Sequence, residues 1–193
     1  MSDTIRAFVA VELSEQSRAV LDRAIRDIEG RGPSVVRWVK SDAMHLTLKF
    51  LGDITSEMAE RVTDALRQAC SETRPFGLAL SGTGAFPSMS NPRVLWVGLS
   101  GDLGPLGAMQ ERIELGMERL GFEREARGFS PHVTLGRVRE GVRPEERRRI
   151  AEALGRVDVS GVAPWRVESV NLMRSTLTPA GAVYDRLAEV RLT

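Results

Sequence analysis

The chain of 193 residues is poor in several groups that commonly carry chemistry: it has one cysteine, two histidines and only two lysines. Cys70 alone cannot close an intramolecular disulfide, and no Cys/His cluster has the spacing of a structural zinc site. A disulfide-held secreted scaffold is thereby excluded. An excess of one charge is also missing. Lys and Arg total 27 against 26 Asp and Glu, a net of +1, which excludes a globally basic polyanion binder but leaves room for a local basic cleft. Long hydrophobic runs are absent as well. The stretch Ala7–Val11 is preceded by Asp3 and cut by Glu12, too short for a signal peptide or a membrane span. These absences predict a cytoplasmic protein of a reducing compartment with no membrane partner.

What is present suffices for a core. Hydrophobic residues make up 42% of the chain, enough for one domain or two small lobes sharing a cleft. The basic residues are 25 Arg and two Lys (Lys40, Lys49), and between Arg119 and Arg149 nine Arg stand against five Glu. With Arg replacing Lys throughout, that local excess reads first as compositional bias, and Arg143, Arg147, Arg148 and Arg149 as a solvated helix face.

The patterning alternates strands and helices. Ile5–Leu13 reads as a buried strand, followed by a helix capped by Ser14 and stopped near Gly30 and Gly32. Val35–Val39 is a short strand, His45–Leu51 an alternating one, and Thr55–Cys70 an amphipathic helix. Phe76–Ser81 and Val94–Leu99 are strands flanking a Gly/Pro-rich connection, Gly82–Pro92, read as a loop. A helix from Leu103 to Leu120, strand His132–Val138, helix Pro144–Leu154, and strands Val167–Leu172 and Val183–Leu192 complete the order.

The second half repeats the first. The histidines are 132 − 45 = 87 residues apart, and the same offset carries Ala10 to Val97, Ser56 to Arg143 and Leu78 to Trp165, each in the matching kind of element. An internally duplicated β-α-β-α-β unit predicts one bilobal α+β domain over residues 1–193. Its two antiparallel sheets are related by a pseudo-twofold axis, with helices outside and a central cleft.

Each histidine opens the same pattern, His45-Leu46-Thr47-Leu48 and His132-Val133-Thr134-Leu135. On a strand, residues i and i+2 share a face, so each motif sets an imidazole beside a hydroxyl with aliphatic residues behind them. Twofold-related lobes bring the two pairs face to face across the cleft. Two imidazoles in opposite protonation states suit a phosphodiester, one taking a proton from water and the other giving one to the departing oxygen. Threonine hydroxyls suit the non-bridging oxygens. No carboxylate cage for a metal is evident, and no cofactor is expected. Phe8, on the same strand face as Arg6, is a candidate base-stacking residue, with Phe50 a second; both also suit the core. Trp38, Trp96 and Trp165 read as core.

At these residues the chain resembles the 2H phosphoesterases, in particular the RNA 2′,3′-cyclic phosphodiesterase group, also described as 2′-5′ RNA ligase-like. The resemblance runs through Arg6-Ala-Phe8-Val9-Ala10, His45-Leu-Thr47-Leu-Lys-Phe50-Leu-Gly52, Gly82-x-Gly84-x-Phe86-Pro87, Pro131-His132-Val-Thr134-Leu-Gly136-Arg137 and Ser175-Thr-Leu-Thr-Pro179-x-Gly181-x-x-Tyr184. It implies a bilobal fold and metal-independent hydrolysis of a 2′,3′-cyclic phosphate to the 2′-phosphate, with reverse 2′-5′ ligation as the same chemistry run backwards. It also implies that His45 donates a proton, His132 accepts one, and Thr47, Thr134 and Arg137 hold the phosphate. On a regular strand Arg137 faces away from His132, so the role needs a bend at Gly136. The expected partners are RNA ends or nucleotides bearing the cyclic phosphate, with no obligate protein partner and a monomeric state. The alternative function is an RNA-end binding or ligation factor that grips the phosphate with little turnover.

Overall fold

The structure, a computed structural model, describes residues 4–178 and 181–193; Pro179 of the last motif lies outside them. Strand β1 (Thr4–Glu12) leads to helix α1 (Glu15–Arg31), which begins where the Ser14 hydroxyl accepts the Ser17 N–H at 3.1 Å and ends where Gly32 N–H reaches the Ile28 carbonyl at 2.8 Å. Strand β2 (Val36–Trp38) and a short turn of 3₁₀ helix precede β3 (His45–Thr55). Thr55 then caps α2 (Ser56–Cys70) by accepting the Met58 N–H at 3.1 Å. Strands β4 (Phe76–Ser88) and β5 (Asn91–Gly101), helix α3 (Leu103–Arg119), strand β6 (His132–Val138), helix α4 (Pro144–Gly155), and strands β7 (Trp165–Val167), β8 (Ser169–Thr178) and β9 (Gly181–Arg191) follow. Helix α4 starts as its sequence demands, with Pro144 at the first position and Glu146 accepting the Arg143 N–H at 3.2 Å.

The Gly82–Pro92 connection is not a loop. It forms the far part of a long β4–β5 hairpin whose pairing runs from Leu78 opposite Gly101 to Ser88 opposite Asn91. The glycines that suggested a loop make the strand possible. Gly82, at φ +64°, sits in the register shift between Ser81 and Thr83, and Gly84 leaves room for the Trp96 ring, which any Cβ there would overlap.

The strands line up as β7-β4-β5-β6-β3-β1-β8-β9, with β2 also paired to β6. The two sheets expected from the sequence are thus two antiparallel arms of one curled sheet. They join where β3 meets β6 with Leu46 opposite Val133. These two residues are each other's counterparts at the 87-residue offset, so the seam lies on the pseudo-twofold axis. Under that axis β6, β5 and β4 correspond to β3, β1 and β8. The arms are therefore interleaved: β4 of the first repeat lies beside β5 of the second, and β8 of the second lies beside β1 of the first. One buried core runs through both arms, including Val9, Leu46 and Leu172 on one side and Leu95, Val133 and Leu135 on the other. Helices α2 and α3 pack together, as do their counterparts α4 and α1.

Candidate active site

The seam places both histidine motifs side by side. Leu46, Leu48, Val133 and Leu135 are buried in the core, which turns His45, Thr47, His132 and Thr134 to the opposite, cleft face of the sheet. Because β3 and β6 run antiparallel about the Leu46–Val133 pair, His45 lies toward Thr134 and Thr47 toward His132. Hydroxyls and imidazoles alternate around the axis.

Both rings are held in the same way. Nδ1 of His45 donates to the Ala43 carbonyl at 2.9 Å, and Nδ1 of His132 donates to the Ser130 carbonyl at 2.7 Å. A carbonyl can only accept, so the proton of each neutral ring is fixed on Nδ1 and Nε2 is left free to exchange protons. Aromatic neighbours brace both rings. Phe8 lies 4.6 Å from His45 and Tyr184 meets it edge-on at 5.1 Å; Phe86 meets His132 edge-on at 5.0 Å, with Trp96 at 6.2 Å. Burial pushes the His45 imidazole below its usual 6.5, more than the Ala43 carbonyl raises it, and the Arg18 guanidinium adds to the depression.

Arg137 reaches the cleft face because the strand bends as required. Thr134 is opposite Trp96 while Gly136 is opposite Leu95, which leaves Leu135 as an extra residue in a β-bulge. Beyond the bulge the alternation reverses, and Arg137 shares a face with Thr134 rather than with Leu135. It lies close enough to Tyr184, on the other arm, to oppose with Arg6 the upward push that burial gives the phenol. The same bulge occurs in β3, where Thr47 is opposite Ala10, Lys49 is opposite Val9, and Leu48 is extra. Its carbonyl accepts from Gln110 Nε2 of α3 at 3.3 Å.

That second bulge corrects two of the aromatic expectations. Phe50 is 63% exposed on the cleft face, whereas Phe8 is only 3% exposed beneath His45 and Tyr184. Phe8 therefore supports the histidine and offers no open face, and Phe50 is no core residue. Trp96, read as core, borders the cleft beside His132. The strand pattern alone does not mark Tyr184 and Phe86 as site residues, although Tyr184 is the sole tyrosine and each follows a motif glycine by two or three residues. The Arg-rich helix start is largely spoken for: Arg143 pairs with Glu146, Arg148 with Glu152, and Arg147 bonds the Pro92 carbonyl.

A groove of about 380 Å³ opens beside His45, lined by Glu12, Asp42, Met173, Tyr184, Asp185 and Arg186. Among the described residues no three His, Cys, Asp or Glu side chains cluster to hold a metal, and no helix is long and apolar enough to cross a membrane.

The family pattern described as LigT-like phosphoesterase matches the chain twice in succession, over residues 11–96 and 97–184. The RNA 2′,3′-cyclic phosphodiesterase of Methanothermobacter thermautotrophicus is 34% identical over 97% of this chain and 99% of its own. That of Archaeoglobus fulgidus is 30% identical over 95% and 98%. The solved structure of TT0787 from Thermus thermophilus superposes with a TM-score of 0.80 at 30% identity, covering 97% of this chain and 98% of that one. E. coli LigT complexed with 3′-AMP shares the fold, with a TM-score of 0.76 at 23% identity and 99% of each chain covered.

Proposed function

The chain belongs to the LigT-like phosphoesterase family, and from that premise we propose that it hydrolyses RNA 2′,3′-cyclic phosphate ends to 2′-phosphates by two-histidine acid–base catalysis. The observation that carries the reading is the pair of Nδ1-anchored imidazoles, each beside a threonine hydroxyl, on one face across the seam. His132 Nε2 takes a proton from water as the water oxygen attacks phosphorus. The bond from phosphorus to the 3′ oxygen breaks, and His45 Nε2 gives that oxygen a proton. The Thr47 and Thr134 hydroxyls donate to the non-bridging oxygens, and Arg137 balances the charge gathering on them. Phe8 acts through His45, whose ring it braces, and Phe50 offers an open aromatic face to the terminal base. No step requires a metal ion. Residues 1–193 are taken as one bilobal unit, a reading that the buried core shared by both arms supports.

The depressed pKa of His45 favours a second assignment, in which His45 is the base and His132 the acid. A bound phosphate anion counters that depression by stabilising the imidazolium, so the resemblance-based assignment is kept. The test is hydrolysis of a nucleoside 2′,3′-cyclic phosphate in excess chelator, with the product isomer identified. The 2′-phosphate is expected; formation of the 3′ isomer, or loss of activity with chelator, refutes the regiochemistry or the metal independence. A substrate with sulfur in place of the leaving oxygen needs no acid, so it restores turnover to His45→Ala under the first assignment and to His132→Ala under the second.

A further inference from the structure

The short strand β2 carries an arginine whose place the sequence pattern left unread. It pairs with β6 so that Val36 faces Val138, Arg37 faces Arg137 and Trp38 faces Gly136. Val36 and Trp38 lie on the core side, where a Cβ on Gly136 would come within 2.7 Å of Val36 Cγ1 and 2.9 Å of the Trp38 ring. Arg37 therefore shares the cleft face with Arg137. Both residues are exposed, and among the described residues neither guanidinium has an ion-pair or hydrogen-bond partner. Directly opposed like charges on antiparallel strands are unfavourable unless an anion bridges them. Arg139 stands one pair further out, its N–H bonded to the Val35 carbonyl at 2.8 Å.

Thr47, Thr134 and Arg137 already serve the single charge of a cyclic phosphate in the function proposed above. A further unpaired guanidinium next to Arg137 is matched to a second phosphate. The groove beside His45 suits one less well, because Glu12, Asp42 and Asp185 line it against a single arginine, Arg186, which is paired with Glu12. We propose that Arg37, beside Arg137 on the cyclic phosphate, holds the internucleotide phosphate immediately 5′ of the terminal nucleotide, so that an RNA strand end binds more tightly than a free mononucleotide. The proposal rests on the reaction assigned above.

The test is calorimetric binding of adenosine 2′-phosphate and of adenylyl-(3′→5′)-adenosine 2′-phosphate at fixed ionic strength. The native chain is expected to favour the dinucleotide by about ten-fold or more, the effect of one charge-assisted phosphate contact. Arg37→Met is expected to shrink that preference below about three-fold and to reduce the salt slope for the dinucleotide by about one. Arg61→Met, which removes an exposed cation from α2, is expected to leave the preference intact. Arg37→Met is also expected to melt no lower than the native chain, because it removes a like-charge opposition. The proposal is overturned if the native chain shows no dinucleotide preference, if Arg37→Met weakens both ligands equally, or if it lowers the melting temperature by several degrees. A chain that binds the dinucleotide through Arg37 but hydrolyses no cyclic phosphate would overturn the reaction and keep the subsite.

Discussion

Two residues past the bulge of β3, on the cleft face, stands Phe50; at the same place in β6 stands Arg137, 87 residues later. One position before them, toward the core, Lys49 in the first arm answers to Gly136 in the second. The backbone is the same in both arms, with a bulge at Leu48 and at Leu135, but the chemistry placed on it differs. In the first arm the bulge is held from behind. Lys49 bonds Glu114 at 2.8 Å and also the Glu123 carbonyl, while Gln110 satisfies the bulged carbonyl of Leu48. In the second arm β2 fills the corresponding space and leaves Gly136 no room for a side chain. The duplicated frame sets one imidazole in each arm, and the differences place an exposed phenylalanine on the cleft face of one arm and an exposed arginine at its counterpart in the other. In the proposed reaction, catalysis uses the symmetry and substrate orientation uses its breaking.

That contrast can be tested from its strongest element down. His45→Ala and His132→Ala are each expected to cost about 10²–10⁴ in kcat/KM, with a bell-shaped pH profile in the native chain. Near-native turnover in either variant, measured under single-turnover conditions, sinks the two-histidine scheme. Next comes the buried pair. Lys49→Met strands the Glu114 carboxylate in the core, where both side chains are no more than 5% exposed, and is expected to cost about 3–5 kcal/mol by denaturant unfolding. Its counterpart Gly136→Ala forces apart β2 and β6 and is expected to cost about 1–3 kcal/mol. If the two costs were reversed, the first arm would not be braced in the way described.

Phe50→Ala is expected to leave stability within about 0.5 kcal/mol, because the ring is exposed. It is expected to raise KM by about five- to a hundred-fold for any base, the loss of one stacking contact. A change confined to one base would point to an edge-reading contact instead. The smallest effect is that of His45 on stability. Its folded pKa lies below the unfolded 6.5, so the unfolded chain binds the proton first as pH falls. Stability from this group is full above about pH 6.5 and is lost as pH falls through the folded value. Compared with the native chain, His45→Gln is expected to flatten stability over that window; an unchanged slope removes His45 as the cause.

The elements were legible because their signals are local. Ser14 and Thr55 accept backbone N–H groups within three residues, Pro144 opens its helix, and the alternation around His45 and His132 marks strand faces directly. Positions involving a bulge were not. Phe50 reads as another apolar strand residue until pairing with β1 makes Leu48 the extra one. Arg137 seems to face away until β5 does the same at Leu135. Gly84 looked like a loop former because its purpose, room for Trp96, resides in the neighbouring strand. Tyr184 reaches the cleft through a strand far from either motif in sequence, and Arg37, only eight residues before His45, is set beside Arg137 because its strand pairs with the distant β6.

By itself, then, the sequence determined the helices, the strands apart from the far half of the β4–β5 hairpin, the two-fold repetition and the chemical pairing of each imidazole with a hydroxyl, since each depends on residues within a few positions or on one constant offset. Tertiary structure decided the rest. It joined the arms at Leu46 and Val133, interleaved β4 and β8, and chose which side of a bulged strand Phe50 and Arg137 face. Those outcomes depend on registers between distant strands, where a shift of one residue turns a side chain from core to cleft.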